Sequence, residues 1–176
     1  MNYYDMLHKL TKMEIEMVNL NDKQKLALKY MSSGSNVFVT GSGGTGKTFI
    51  VSYFKKLYSN QRNIAITSLT GVSALLIKGT TIHSYLGIGL GNGSVETIKN
   101  KIMKTSYIKK RWRQLHTLVI DEISMLNPDL FDKLEEIARI VRVNDRPFGG
   151  IQLVLLGDYF QLPVVKSDKY CFEAKS

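Results

Sequence analysis

The sequence predicts an α/β fold, a mostly parallel sheet with helices on both faces. Two observations support it. Four short apolar runs alternate along the chain with segments of helical periodicity. Each run is nearly continuous in apolar residues, which indicates a strand covered on both sides. Ligands bind at the carboxyl ends of strands in such sheets, so the polar residues that follow each run are candidates for one shared site.

Two helical segments are predicted before the first strand. Residues 1–19 are predicted to form an N-terminal helical segment, with methionine and tyrosine side chains on its apolar side. A second helix should begin after Asn21, a suitable N-cap, and end near Ser33, because Gly34 interrupts it. Gln24 lies in its first turn, and by itself it indicates nothing beyond a solvated glutamine.

The first strand, residues 36–40, leads directly into Gly-Ser-Gly-Gly-Thr-Gly-Lys-Thr at 41–48, and a helical pattern follows to Tyr58. This sequence motif, between a strand and a helix, is typical of a phosphate-binding loop, or P-loop. Its glycines let backbone N–H groups curl around a phosphate, and the N-terminus of the next helix faces the same anion. The residues predicted to bind a nucleoside triphosphate are Gly41, Gly43, Gly44, Thr45, Gly46, Lys47 and Thr48.

Two side chains of this loop have more specific predicted roles. Lys47 should reach the β- and γ-phosphate oxygens, and the Thr48 hydroxyl should hold Mg²⁺. The competing interpretation is a glycine-rich turn that happens to precede a helix. The strand before it and the helix after it argue against that interpretation.

The second strand, residues 63–67, runs into a turn and a short helix at 68–76, followed by a polar return at 79–84. Beyond it, residues 95–114 carry seven basic side chains together with Tyr107 and Trp112. One interpretation is a basic strip with stacking aromatic rings. The favoured one is an exposed helical face with Trp112 turned into the core, because a run of charges is usually a solvated face.

The third strand, residues 117–122, ends in Asp121 and Glu122, and this is the form of a Walker B strand. The Asp121 carboxylate is suited to hold the Mg²⁺ of a bound nucleotide, and Glu122 to polarise the water that attacks the γ-phosphate. The fourth strand, residues 151–156, runs into a polar segment that contains Gln161, whose amide is a hypothetical contact for the γ-phosphate.

Bulk properties narrow the class of protein. The chain has 176 residues, the length of one domain, and a net charge of +9 that suits a polyanionic partner. No apolar run approaches the roughly 18 residues that span a bilayer. A single cysteine, Cys171, cannot form an internal disulfide, so a reducing, intracellular location is expected.

Four longer segments resemble the PIF (petite integration frequency) DNA helicases. They are Val-Ile-Asp-Glu-Ile-Ser-Met-Leu at 119–126, Asp-Lys-Leu-Glu-Glu-Ile-Ala-Arg at 132–139, Pro-Phe-Gly-Gly-Ile-Gln-Leu at 147–153 and Gly-Asp-Tyr-Phe-Gln-Leu-Pro at 157–163. Thr-Gly-Val-Ser-Ala at 70–74 and Thr-Ile-His-Ser at 81–84 add to the likeness. The resemblance spans nearly the whole chain from Leu20 onward.

The resemblance implies an ATP-driven 5′-to-3′ translocase on single-stranded DNA, with a RecA-like P-loop fold and Mg²⁺ as cofactor. Its implied substrates are DNA forks, RNA–DNA hybrids and G-quadruplexes, and its implied roles are in replication, repair, recombination and telomere maintenance. It places Gln24 in a motif that reads adenine, and it implies DNA contacts from Thr70, Gly71, Thr81, His83 and Ser84.

Two departures from the family pattern matter. Pro163 is followed by Val164, where the family usually has a second proline. The sequence also stops soon after that motif, where such helicases continue into a second RecA-like domain that carries an arginine finger. Residues 20–176 are therefore predicted to be the first motor domain, and a continuation of the chain or a separate second domain is expected.

Two other classes of function stay open on the sequence. One is a nucleotide-gated DNA-binding or regulatory P-loop module without motor activity. The other is an AAA+-type loader, which would need an asparagine sensor at the end of the fourth strand. Gly157, Asp158 and Gln161 in that region argue against the loader.

Overall fold

The computed structural model describes residues 20–158 and 173–175. The predicted N-terminal segment 1–19, Gln161 and Cys171 lie outside the described residues, so their predictions stay untested. None of the helices in the described ranges is long and apolar enough to cross a bilayer.

A five-stranded sheet forms the centre of the fold, and all of its pairings are parallel. Its strands, in chain order, are β1 (Val37–Thr40), β2 (Ile64–Ser68), β3 (Thr80–Thr81), β4 (Thr117–Asp121) and β5 (Gln152–Gly157). Their spatial order is β1, β5, β4, β2, β3. The sequence prediction of a mostly parallel α/β sheet is thus confirmed. It missed β3, because two threonines in a polar stretch carry no strand signal.

Seven helices surround this sheet in the described part of the chain. They are α1 (Asp22–Ser32), α2 (Lys47–Tyr58), α3 (Gly71–Leu76), α4 (Ile82–Leu86), α5 (Val95–Lys104), α6 (Ser106–Gln114) and α7 (Pro128–Arg142). Short 3₁₀ turns at Ile123–Met125 and Pro147–Gly150 precede α7 and β5. The predicted start of α1 is confirmed, because the Asn21 side chain caps this helix. Asn127 caps α7 in the same way, and Pro128 follows at the first position of that helix.

Two apolar layers cover the two faces of the sheet. Alternate residues of β4 point to opposite sides, so Leu118 and Ile120 join one layer and Val119 joins the other. Residues of α4 to α7 pack in the first layer, and residues of α1 and α2 pack in the second. Helices therefore lie on both faces, as the continuous apolar runs predicted.

The strand register aligns the carboxyl ends of all five strands at one edge. Thr40 of β1 lies opposite Gly157 of β5, and Ser68 of β2 lies opposite both Asp121 of β4 and Thr81 of β3. The segments that follow these residues therefore emerge side by side. This edge runs from the P-loop at one end to α4 at the other.

Arg142 at the end of α7 holds several separate segments together. Its guanidinium donates to the backbone carbonyls of Trp112, Arg113 and Leu115 and to that of Gly149. These carbonyls belong to the end of α6 and to the turn before β5. The side chain thus supplies the hydrogen bonds that these helix-end carbonyls lack within their own helix.

Candidate active site

The P-loop leaves β1 at Gly41 and enters α2 at Lys47, as predicted. Gly44 and Gly46 have φ values of +78° and +86°, a region that side chains with a Cβ rarely adopt. A Cβ built on Gly43 or Gly44 would meet no atom within 4 Å, so open space lies over this part of the loop. The loop thus offers backbone N–H groups and room for a phosphate beside a helix N-terminus.

Two side chains hold the loop closed on itself. The Lys47 ammonium donates to the carbonyl oxygens of Gly41 and, at 3.0 Å, of Ser42. The Thr45 hydroxyl donates to the same Ser42 oxygen at 2.9 Å. Lys47 is therefore positioned at the opening of the loop, and Thr48 lies next to it in the first turn of α2.

Gln24 connects α1 to this loop. Its side-chain amide donates to the Thr45 carbonyl at 3.3 Å, and its amide oxygen accepts the Asn21 backbone N–H at 3.1 Å. A Cβ on Gly46 would lie 2.5 Å from the Gln24 amide nitrogen. This glutamine, which by itself indicated nothing in the sequence and which the resemblance assigned to adenine, lies against the P-loop.

Three carboxylates, those of Asp121, Glu122 and Asp158, gather at the ends of β4 and β5, and the Lys47 charge acts on the first two. Burial raises the pKa of Asp121, and the Glu122 backbone N–H and the Lys47 charge partly offset this rise. Burial and the Asp121 charge raise the pKa of Glu122, which Lys47 lowers and Asp158 raises further. Asp158 had no individual role assigned from the sequence, but it lies in the polar segment after the fourth strand, which was predicted to join this site.

The donor set suits a magnesium-bound nucleoside triphosphate. Mg²⁺ prefers oxygen ligands, and Thr48 and Asp121 offer a hydroxyl and a carboxylate at this edge. Glu122 has a left-handed backbone, with φ of 56°, directly after the buried strand. Its raised pKa makes the carboxylate a better proton acceptor than an ordinary surface glutamate. Predicted phosphate, metal and base residues therefore meet at one edge.

The residues predicted to touch DNA lie at the other end of the same edge. Thr70 and Thr81 are the N-caps of α3 and α4, and their hydroxyls accept the backbone N–H groups of Ser73 and Ser84. Gly71 has open space where a Cβ would stand, so packing does not require a glycine there. Burial lowers the pKa of the half-buried His83, which favours a neutral imidazole.

Sequence reasoning missed an exposed apolar face beside this surface. Val72, Leu75 and Leu76 of α3 have the spacing typical of a buried helix face, yet Leu75 is 79% exposed. They have no distinguishing signal in the sequence, because only the placement of α3 at the sheet edge leaves them uncovered.

Residues 95–114 were interpreted either as a basic strip with stacking aromatic rings or as an exposed helical face with Trp112 in the core, and each interpretation fits one of the two aromatic residues. Trp112 is 1% exposed and donates its indole N–H to the Leu86 carbonyl at 2.9 Å, so its predicted place in the core is confirmed. Tyr107, in contrast, lies on the surface of α6.

Comparison with known proteins places the chain among helicases. Residues 19–173 match the family model described as PIF1-like helicase. The chain is 55% identical over 152 residues to uncharacterized protein 030L of Invertebrate iridescent virus 6, covering 84% of this chain and 29% of that protein. It is 43% identical over 166 residues to the ATP-dependent DNA helicase PIF1 of Saccharomyces cerevisiae, covering 89% of this chain and 19% of that protein.

A solved structure agrees with these matches. The crystal structure of Pif1 helicase from Candida albicans superimposes with a TM-score of 0.84 at 44% identity, covering 89% of this chain and 36% of that chain. The chain thus spans between a fifth and two fifths of the proteins that it matches. The likeness extends over nearly all of the sheet and its helices.

Proposed function

The chain belongs to the PIF1-like helicase family, and from that premise we propose that it is the first RecA-like motor domain, residues 20–176, of an ATP-dependent DNA helicase. The observation that carries the proposal is that Lys47 lies close enough to Asp121 and Glu122, at one edge of the sheet, for its charge to lower the pKa of both carboxyls. A nucleotide on the P-loop would lie within reach of all three.

The P-loop residues would bind the triphosphate. Gly41, Gly43, Gly44, Thr45 and Gly46 would offer backbone N–H groups, and Lys47 would move part of its hydrogen bonding from the loop carbonyls to phosphate oxygens. Gln24 is proposed for the adenine. Thr48 and Asp121 would hold Mg²⁺, which neutralises phosphate charge when it is bound.

Glu122 is proposed as the general base. Its raised pKa, caused by burial and by its acidic neighbours, supports the transfer of a proton from the attacking water. Gln161 is proposed to contact the γ-phosphate and so to distinguish ATP from ADP. That role rests on its position after β5 in the sequence.

Thr70, Gly71, Thr81, His83 and Ser84 are proposed to contact single-stranded DNA. Their position on the edge that holds the nucleotide supports this role, because changes at the γ-phosphate could then shift the DNA contacts. Pif1 of Bacteroides has been crystallised bound to ssDNA. Translocation from 5′ to 3′ and the unwinding of forks and G-quadruplexes are proposed on family membership.

Rapid turnover is proposed to need a second motor domain that supplies an arginine finger. Such a residue accelerates hydrolysis by about 10³–10⁵ in related P-loop enzymes. The isolated chain should therefore bind ATP with Mg²⁺ but hydrolyse it slowly.

The test measures nucleotide binding and hydrolysis on the same preparations. Fluorescent ATP should bind the wild-type chain with Mg²⁺ and fail to bind Lys47→Ala. Hydrolysis should be slow with or without single-stranded DNA, and fast and DNA-stimulated in a version extended by a second motor domain. Glu122→Gln should abolish that activity. An extended protein that binds ATP and DNA but never hydrolyses would instead be a nucleotide-gated binding module.

A further inference from the structure

A cavity of about 400 Å³ lies at the far end of α2 from the P-loop. Since α2 has 12 residues, these two ends are about 18 Å apart. The residues that matter here are Arg62 and Asn63 before β2, Tyr85 of α4, and Tyr107, Lys110 and Arg111 of α6. None of the lining residues is acidic, so three cations face the cavity without a carboxylate among them.

The short edge strand explains why this cavity exists. β3 pairs only with Thr67 and Ser68 of β2, so no described strand covers the first part of β2 on that side. The start of β2, at Ile64, forms part of the cavity wall. The opening is thus built into the sheet and does not depend on one loop.

Arg111 is fixed in the wall between two tyrosine rings. Its guanidinium carbon lies 4.8 Å from the centre of the Tyr85 ring and 5.7 Å from that of Tyr107. It also donates to the Tyr85 carbonyl at 2.6 Å. Tyr107 is held on this cation while 67% of it stays exposed, so it presents an aromatic surface to a ligand.

Arg62, another residue that lines the cavity, is held in a similar way. It lies 5.2 Å from the centre of the Tyr58 ring and donates to the Ser32 carbonyl at 2.8 Å. Lys110, in contrast, is exposed on α6. The cavity therefore combines two guanidinium groups held by other residues, one exposed ammonium group and one exposed ring.

We propose that this cavity is a second binding site for single-stranded nucleic acid, with one base stacked on Tyr107 and the adjoining phosphates on Lys110 and Arg62. An aromatic surface beside cations is the combination that binds single strands. An acidic peptide would use the cations but would gain little from the ring. The nucleic-acid class of the ligand rests on the proposed function, while the site itself rests on the cavity.

The site continues the surface proposed for DNA at the strand ends. Tyr85 directly follows Ser84 on α4, so this helix contributes both to that surface and to the cavity, which lies towards the start of β2. A strand that crosses the edge at Thr81 and Ser84 can pass over α4 into the cavity. The cavity would then hold nucleotides beyond those that respond to ATP.

Binding of a fluorescein-labelled oligothymidylate of about 20 nucleotides, measured by anisotropy, tests the proposal. Tyr107→Ala should raise the Kd at least about fivefold, because stacking is worth about 1–3 kcal/mol per base. Tyr107→Phe keeps the ring and should restore binding. The logarithm of the binding constant falls as the logarithm of the salt concentration rises, and Lys110→Ala should make this slope shallower by about 0.7, the value for one phosphate on a single strand.

Matched controls separate this cavity from general charge. Tyr30→Ala removes a half-exposed tyrosine of α1, and Lys104→Ala removes an exposed lysine of α5, and both lie outside the cavity. Both should bind as the wild type does. Unchanged binding by Tyr107→Ala, or equal losses with Lys104→Ala and Lys110→Ala, would overturn the proposal. So would equally tight binding of oligoglutamate that responds to Tyr107→Ala in the same way.

ATP binding measured on the same variants keeps this inference distinct from the proposed function. The cavity variants should bind fluorescent ATP as the wild type does, since the P-loop is at the other end of α2. If the wild-type chain binds ATP and the oligonucleotide but the cavity variants change nothing, only the inference fails. If the wild-type chain binds neither ligand, the proposed function fails as well.

Discussion

The Gln24 side-chain amide donates to the backbone carbonyl of Thr45, 3.3 Å away, and thereby links the first turn of α1 to the P-loop. The residues are 21 positions apart in the sequence. Gln24 also completes a capping box with Asn21, so one side chain both begins a helix and supports the nucleotide loop. A second amide N–H and a second lone pair remain for a base.

Gln24→Ala should weaken the binding of ATP more than the binding of GTP. Loss of the Thr45 contact should raise the Kd of both nucleotides about threefold, and loss of an adenine contact should bring the rise for ATP to about tenfold. Loss of the capping box should also lower the free energy of unfolding by about 1 kcal/mol. Paired titrations with ATP and GTP check this, and equal losses would restrict Gln24 to supporting the loop.

Gly46→Ala should destabilise the fold, whereas Gly43→Ala should leave its stability unchanged. A side chain at φ of +86° is strained, and the Gly46 Cβ would also displace the Gln24 amide, so we expect a loss of about 1–3 kcal/mol. The Gly43 Cβ meets nothing within 4 Å, so its unfolding midpoint should be unchanged while nucleotide binding weakens. Urea denaturation and ATP titration on both variants decide this. Equal stability would contradict the backbone strain expected at Gly46.

Asp121→Asn and Glu122→Gln should each stabilise the chain at neutral pH. Burial raises both pKa values in the folded state, so the folded chain binds protons more readily than the unfolded chain. Stability is therefore lost as the pH rises from the unfolded pKa, about 4, through the raised folded pKa, and the amides avoid this loss. The gain should be present at pH 7.5 and absent near pH 4.

Glu96→Gln is the control for the sign of that effect. The side-chain hydrogen bond from Lys99 is the largest cause that lowers the pKa of exposed Glu96, so its amide should bring no gain at pH 7.5. Thermal melts of the three variants at both pH values make the comparison. Stabilisation by Glu96→Gln to the same extent would show that net charge, and not burial, is responsible.

Arg142→Ala should strongly destabilise the fold and leave ATP binding unchanged. It would leave carbonyls of α6 and of the turn before β5 without their donor, and we expect a loss of about 2–4 kcal/mol. Exposed Arg146→Ala serves as the control and should change stability by less than about 0.5 kcal/mol. ATP affinity below the melting range should be normal in both. A small effect at Arg142 would mean that water replaces it.

Val143→Gly should stabilise the chain by about 0.5–1 kcal/mol. This residue ends α7 with φ of 53° and ψ of 52°, a left-handed conformation that costs a β-branched residue about 1–2 kcal/mol. Val143 is 82% exposed, so little packing is lost, although glycine also adds freedom to the unfolded chain. The melting temperature should rise by a few degrees. Val143→Ala, which keeps a Cβ, should raise the melting temperature by less than Val143→Gly does.

Much of the fold could be predicted because its signals are local. The strands β1, β2, β4 and β5 lie in nearly continuous apolar runs, and the starts of α1 and α7 are marked by Asn21 and by Asn127 with Pro128. β3 could not be predicted, because its two threonines pair only when α3 and α4 bring them beside β2. The exposure of Leu75 could not be predicted either, because Val72, Leu75 and Leu76 have the spacing of a buried helix face.

The sequence by itself determined the chemistry of the site. The spelling of residues 41–48 and the acids after β4 are local patterns, since a phosphate loop needs glycines, a lysine and a helix start in immediate succession. Only the tertiary structure decided that Gln24 supports this loop, that the Asp158 charge acts on Glu122, and that Tyr107, Tyr85 and Arg62 share a cavity. These contacts join residues far apart in the chain, and their geometry follows from strand order and register, which no local pattern encodes.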